Sequence, residues 1–345
     1  MKNRLCYISR NYNNVNKARI DTERTLAEMG AVNLGLSQTF CKSKIVTFLM
    51  NLIGMVKMTL SLKSGDILFI QYPMKKYFRY VCRLAQRRKA KTVVLIHDLE
   101  CMRKKQLSVE EELAKLIKAD HIIATNDGMR QWLLCEGFWK PVGSMGLWDY
   151  RSDAVVRESP SAITRRIVYA GQLAMRKNSF LLEIEQEDLS YRMDIYGDFR
   201  RLRLQGNNPN ISLHGKVASD YFLSHAEGDF GLVWDGDSLD WYSGDWGVYL
   251  RYNTPHKVSF YLRAGLPVLI HKNAALAPLI EQEGIGITIS SIREIGKVLD
   301  GITSERMQAI RDNVRRVARH IDDGDYLRNA IQRALASASF RSFHP

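Results

Sequence analysis

The sequence predicts an α/β protein built from two doubly wound parallel-sheet domains in tandem. Three observations predict this: short, continuously apolar runs alternate with amphipathic segments of helix length, the alternation restarts in the second half, and polar clusters follow the apolar runs. Continuously apolar strands must be covered on both faces, and the helices that connect parallel strands provide that cover.

In the first half, "RLCYIS" (4–9) reads as strand, "KARIDTERTLAEMG" (17–30) as helix, "DILFIQY" (66–72) as strand, "KKYFRYVCRLAQRRKAK" (75–91) as a basic helix and "KTVVLIHD" (91–98) as strand. "SVEEELAKLIKA" (108–119) follows as helix, "DHIIATN" (120–126) as strand and "DGMRQWLLCEG" (127–137) as helix. The Ser- and Pro-containing stretch "RSDAVVRESPSAITRR" (151–166) reads as a linker, which divides the chain into 1–155 and 160–318. Beyond it come the strands "IVYAG" (167–171), "YRMDIYG" (191–197), "ISLHG" (211–215), "FGLVW" (230–234), "PVLIH" (267–271) and "GITI" (286–289).

A chain of 345 residues, 46% hydrophobic, can bury a large core, and its net charge of +13 points to an anionic partner: nucleic acid, acidic lipid or a phosphorylated small molecule. Cys6, Cys41, Cys82, Cys101 and Cys135 are odd in number and widely spaced, as in a reduced, cytoplasmic protein without structural zinc. The N-terminal "MKNRLCYISRNYNN" has an apolar core too short for a secretory signal and reads as a first strand. "SKIVTFLMNLIGMVKMTLSL" (43–62) is interrupted by Lys44, Asn51, Gly54 and Lys57, so a buried or oligomer-forming helix is expected, with an interfacial helix as the sharper alternative. The basic run 75–91 reads as a solvated helix face, or as a surface held against anionic phospholipid.

No strand is followed by GxGxxG or GxxxxGK[ST], and there is no GxSxG, which removes support for dinucleotide oxidoreductases, P-loop kinases and nucleophile-elbow hydrolases. In open α/β sheets ligands bind outside the carboxyl ends of the strands. In "RYNTPHKVSFYLRAGLPVLI" (251–270), Thr254 is placed to N-cap a helix that opens with Pro255, turns Val258, Tyr261, Leu262 and Ala264 inward, and ends at Gly265. Cations are normally unfavourable at a helix N-terminus. His256 and Lys257 in that first turn point either to a bound anion such as phosphate, or to a solvated lysine beside a histidine that packs or caps.

"FGLVWDGDS" followed by "GVYLRYNTPHKVSFYLRAGLPVLI", with "LIHDLE" and "GLWDY" upstream and "YAGQL" between, resembles a family of bacterial glycosyltransferases. That family includes galactofuranosyltransferases of surface-polysaccharide synthesis and the glucosyltransferase that acts on serine-rich adhesins. The resemblance implies a GT-B fold of two facing Rossmann-like domains, a UDP-sugar donor on the second, an acceptor on the first, and no required metal or cofactor. A final helix around 304–336 is expected to cross back, its part from about 320 to 345 packing on the first domain.

Carried onto this chain, the resemblance implies donor diphosphate contacts from Thr254, Pro255, His256 and Lys257, with Tyr252 and Asn253 near the sugar or ribose. Arg176 and Lys177 match a cationic loop after the first strand of the donor domain. Tyr196, Gly197 and Lys216 would line the nucleoside pocket. Relatives often carry Asn where Gln172 stands, and "NNPHK" where this chain has Asn253-Thr254-Pro255-His256-Lys257.

Inverting transfer needs a base for the acceptor hydroxyl. The catalytic candidates are Asp98, at the end of "TVVLIHD", then His97, with Glu100 and Asp21 behind; Lys257 would stabilise the leaving diphosphate. Trp241, Tyr242, Trp246 and Tyr249 sit in a polar, Gly-rich stretch where rings can stack on sugars or pin the loop to the core.

The expected function is a metal-independent inverting transfer of galactofuranose from its UDP form to a lipid-linked or surface glycan, at the cytoplasmic face of the membrane. UDP-glucose with a glycoprotein acceptor is the second reading. A non-catalytic basic lipid- or nucleic-acid-binding scaffold is a third, although no RRM, KH or helix-turn-helix signature supports nucleic acid. Self-association through 43–62 is a further expectation.

Overall fold

The computed structural model describes residues 3–10, 12, 16–74, 77–103, 105–157 and 162–337. Lys75 and Lys76 of the basic run, and residues 158–161 of the expected linker, lie outside them. The chain forms two compact units, Met1–Asp149 with Gly324–Pro345, and Tyr150–Asp323. The division thus falls at Asp149/Tyr150, ahead of the expected 155–160 stretch, and residues 151–157 belong with the second unit.

The first unit runs β1 (Leu5–Tyr7), α1 (Lys17–Glu28), β2 (Val32–Asn33), α2 (Lys44–Ser61), β3 (Ile67–Tyr72), α3 (Phe78–Arg87) and β4 (Lys91–Ile96). It continues with α4 (Glu100–Arg103), α5 (Val109–Leu116), β5 (His121–Ala124), α6 (Asp127–Cys135) and β6 (Val142–Ser144). All strands pair in parallel, in the order β2-β1-β3-β4-β5-β6. Every residue of β3 and β5 is buried, as the uninterrupted apolar runs require. The two-residue β2 and three-residue β6 carry no such run, which is why periodicity misses them.

The second unit comprises β7 (Arg166–Ala170), α7 (Met175–Asn178), α8 (Phe180–Ile184), β8 (Arg192–Tyr196), β9 (Ile211–Gly215), α9 (Ser219–His225), β10 (Phe230–Val233) and α10 (Gly244–Tyr249). It ends with α11 (His256–Arg263), β11 (Val268–His271), α12 (Ala277–Glu283), β12 (Gly286–Ile289), α13 (Ile295–Gly301) and α14 (Ser304–Asp323). Its parallel sheet reads β9-β8-β7-β10-β11-β12. Counted within the unit this is 3-2-1-4-5-6, so the strand order reverses between β7 and β10, and that switch point is where such sheets take ligands.

The expected helix over 304–336 is two helices. Gly324, at φ 77°, breaks it, and α15 (Asp325–Ala336) starts beyond. Asp149 caps this second start, its carboxylate accepting the Tyr326 and Leu327 amides at 3.2 and 3.0 Å. Leu327, Ala330, Ile331 and Ala334 then bury against Leu26, Phe69, Leu95 and Trp148, joining α15 to the first unit.

α2 departs from the buried expectation. Only Thr47, Gly54, Met55 and Met58 of its 18 residues are buried, because the six-stranded sheet is covered by one side of the helix alone.

Candidate active site

The carboxyl edge of the second sheet holds a cavity of about 430 Å³. Gly171 follows β7, Tyr196 ends β8 with Gly197 just beyond it, and Lys216 follows β9; with Gln172 and Arg201 they line it. Tyr196, Gly197 and Lys216, three of the residues expected around a nucleoside, are therefore brought together here. A Cβ on Gly197 would stand 2.5 Å from the Gly171 carbonyl oxygen and 2.8 Å from Leu173 Cγ, so the close approach of the two strand ends demands glycine. Tyr196 stacks on His214 with centroids 4.5 Å apart and meets Phe222 edge-on at 5.0 Å. It is thus part cavity wall and part packing. Arg201 ends a single 3₁₀ turn, Phe199–Arg201, after β8, too short for a periodic signal to mark it.

At the switch point the side chains form a buried polar cluster. Asp235, just past β10, accepts from Lys257 Nζ at 3.1 Å and pairs with Lys177 at 3.4 Å. Lys257 also donates to Tyr169 Oη at 3.0 Å and to the Trp234 carbonyl at 3.3 Å. Asn178 donates to the same Tyr169 oxygen at 2.5 Å. Burial lowers the Lys257 ammonium to about 8, against the attraction of Asp235, which favours its charge. The structure ties Lys257, the cation expected to face a diphosphate, to a carboxylate that local sequence could not assign to it.

α11 also starts differently. Pro255, at φ −65° and ψ 127°, occupies the N-cap position, and Thr254 is buried one residue earlier, so Thr254 is not the cap. The C-terminus matches expectation: the Gly265 and Leu266 amides donate to the Leu262 and Tyr261 carbonyls at 3.0 and 2.9 Å, a Schellman closure. His256 packs its ring against Tyr150 with centroids 5.1 Å apart. The amides of Tyr252 and Asn253 both donate to the Tyr249 carbonyl, at 3.0 and 3.1 Å, turning the chain into α11. Asn253 Oδ1 is buried with no hydrogen-bond partner among the described residues, a cost relieved by any donor arriving there.

Arg176 and Lys177 place their cationic groups over the Trp246 ring, each 5.1 Å from its centroid. Tyr242 and Tyr249 are core residues, while Trp241 is exposed, so the aromatic loop divides between the two roles expected of it.

The first unit gathers polar groups at its own carboxyl edge. His97 Nε2 lies 2.8 Å from Gln71 Oε1, and its ring stacks on Trp148 at 4.7 Å. Gln71 Nε2 in turn donates to Glu23 at 3.4 Å. With the Gln71 amide in that orientation, its oxygen accepts from His97, which places a histidine proton on Nε2. Burial pushes the Glu23 carboxyl up to about 7, and Arg19 partly offsets this. Glu23, on the buried side of α1, gave no motif in the sequence.

Asp98 pairs with Arg103. The reserve candidates are committed elsewhere: Asp21 pairs with Lys17 at 2.5 Å, and Glu100 is buried beside Tyr72 and Lys115 at 3.4 and 3.5 Å. Among the described residues, no group of three or more His, Cys, Asp or Glu is placed to hold a metal ion.

Comparison with known proteins identifies the family and the fold. The families described as Glucosyltransferase 3-like, N-terminal domain and Glucosyltransferase 3-like, C-terminal domain match residues 5–147 and 167–334. The chain is 30% identical over 282 residues to beta-1,6-galactofuranosyltransferase WbbI of Escherichia coli (strain K12), covering 79% of this chain and 80% of that protein. It is 23% identical over 282 residues to glucosyltransferase 3 of Streptococcus gordonii, covering 79% of each. Among solved structures, WaaG, a glycosyltransferase involved in lipopolysaccharide biosynthesis, superimposes with a TM-score of 0.55 at 11% identity, over 96% of this chain and all of the other. That likeness shows the fold, which is GT-B. On these matches and its two Rossmann-like units, the chain belongs to the glucosyltransferase 3-like family of glycosyltransferases.

Proposed function

We propose that the chain transfers galactofuranose from UDP-galactofuranose, with inversion and without a metal ion, to a lipid-linked or cell-surface glycan on the cytoplasmic side of the membrane. The observation that carries the donor assignment is the 430 Å³ cavity at the carboxyl edge of β7, β8 and β9, within the roughly 300–1,000 Å³ usual for small-molecule sites. Tyr196 and Gly197 form its wall on the nucleoside side, and Lys216 and Arg201 supply charge for phosphates. The first turn of α11 offers its amides to the diphosphate, held in place by the Lys257–Asp235 pair, and Asn253 Oδ1 accepts from a sugar hydroxyl. The first unit takes the acceptor. There His97, held by Gln71, removes the hydroxyl proton as the oxygen attacks the anomeric carbon and UDP departs, with Asp98 as the other candidate base.

The identity to the galactofuranosyltransferase, 30% against 23%, favours that donor. The family description, glucosyltransferase 3-like, favours a second reading in which glucose is the sugar moved; UDP-glucose as donor and a glycoprotein glycan as acceptor complete that proposal. A mass-spectrometric screen separates them. UDP release from UDP-galactofuranose supports the first reading, consumption of UDP-glucose alone supports the second, and release from neither overturns both.

A further inference from the structure

α2 and α3 present a surface that holds none of the residues assigned above to donor, acceptor or base. Ile45, Leu49, Leu52, Ile53, Val56 and Leu60 are between 44 and 76% exposed. Their spacing of four, three, one, three and four residues puts them on one stripe of α2, opposite Thr47, Gly54, Met55 and Met58. The more apolar face of this helix therefore points to solvent, where a soluble monomer would carry polar residues.

α3 lies alongside, bridged by the Tyr80 and Thr59 hydroxyls at 2.8 Å and by Arg88 donating to the Thr59 carbonyl at 3.3 Å. Arg79, Arg83 and Arg87, one helical turn apart, are exposed. From Met29 to His97 the sequence holds twelve Lys and Arg against a single acid, Asp66, so almost the whole +13 excess resides in this stretch. Asp66 is buried and paired with Arg4 at 2.6 Å, and it does nothing to neutralise the surface.

Charge selects the occupant of the stripe. A second copy would set this positive field against itself, whereas an anionic bilayer supplies an acyl boundary for the stripe and phosphates for the cations. The 18-residue helix also has the length of an in-plane element, about 27 Å. We propose that α2 lies in the plane of an anionic membrane, its outward stripe in the acyl boundary and the α3 arginines on the headgroups.

Flotation of the full chain with phosphatidylcholine vesicles, and with equimolar phosphatidylcholine and phosphatidylglycerol, tests this without donor or acceptor and so independently of the sugar assignment. The chain should float with the mixed vesicles and not with the neutral ones. The triple variants Leu49→Ser/Ile53→Ser/Val56→Ser and Arg79→Glu/Arg83→Glu/Arg87→Glu should each weaken binding roughly tenfold or more while keeping the wild-type melting curve. Hydrogen exchange of Lys44–Ser61 should slow only when the anionic lipid is present.

Equal flotation with both lipids, or full binding by the apolar triple variant, overturns the proposal. So does light scattering that shows a dimer dispersed by the apolar triple variant, with no flotation. That last outcome would assign the stripe to a second copy.

Discussion

Lys257, in the first turn of α11, holds its ammonium 3.1 Å from the carboxylate of Asp235, just past β10. This contact resolves the odd placement of a cation at the positive end of a helix. The carboxylate offsets the unfavourable dipole interaction and joins α11 to the end of β10, one of the two strands that flank the topological switch point.

Lys257→Met leaves Asp235 buried with only Lys177 as a cationic partner, and should cost about 3 kcal/mol in thermal or urea unfolding. Lys257→Met/Asp235→Asn should recover most of that stability without recovering UDP release. Arg176→Ala, which removes only a cation over Trp246, should damage turnover less than Lys257→Ala.

In the donor cavity, Lys216→Ala should weaken UDP binding roughly tenfold or more, since a hydrogen bond to a charged group contributes about 1.5–3 kcal/mol. Titration calorimetry measures this, and unchanged affinity would remove Lys216 from the site. Gly197→Ala should destabilise the fold by about 1–3 kcal/mol through the Gly171 and Leu173 clashes, and lower UDP affinity with it.

At the first unit's edge, His97→Ala should reduce kcat by roughly 10²–10⁴ with little change in KM for the donor, whereas Asp98→Asn should cost less if Asp98 mainly holds Arg103. Glu23 acts through Gln71 and is a positioning residue. Because burial raises its pKa to about 7, its stabilising contribution is full below the unfolded value near 4.5 and lost as pH rises through about 7. Glu23→Gln should therefore gain stability over wild type above pH 7, on the order of 3 kcal/mol, and no gain at pH 4. It should also abolish any inflection near pH 7 in kcat/KM, which a merely structural residue would not do.

Asp149→Ala removes the cap of α15 and should cost about 1–2 kcal/mol. Proteolysis after Gly324 should become faster, because the start of α15 loses both side-chain acceptors.

Most of the architecture was legible because parallel strands buried on both faces must be written as apolar runs. "DILFIQY" and "TVVLIH" are such runs and appear as β3 and β4. β2 and β6 are held by pairing with β1 and β5 rather than by their own residues, so nothing local announced them. Tyr196, Gly197 and Lys216 were legible as a set because each follows a recognisable strand, and strand ends converge on one edge.

The sequence by itself determined the α/β class, the two-domain order, the excess of positive charge and the helix that begins at the "NTPHK" segment, since these depend on composition and on contacts within a few residues. The tertiary structure alone decided that Lys257 answers to Asp235, that Gln71 links His97 to Glu23, that Asp149 caps a helix 177 residues further along, and that the apolar stripe of α2 faces outward. Each of these joins groups far apart in the chain or depends on which side of a helix the sheet covers, and local periodicity carries no information about either.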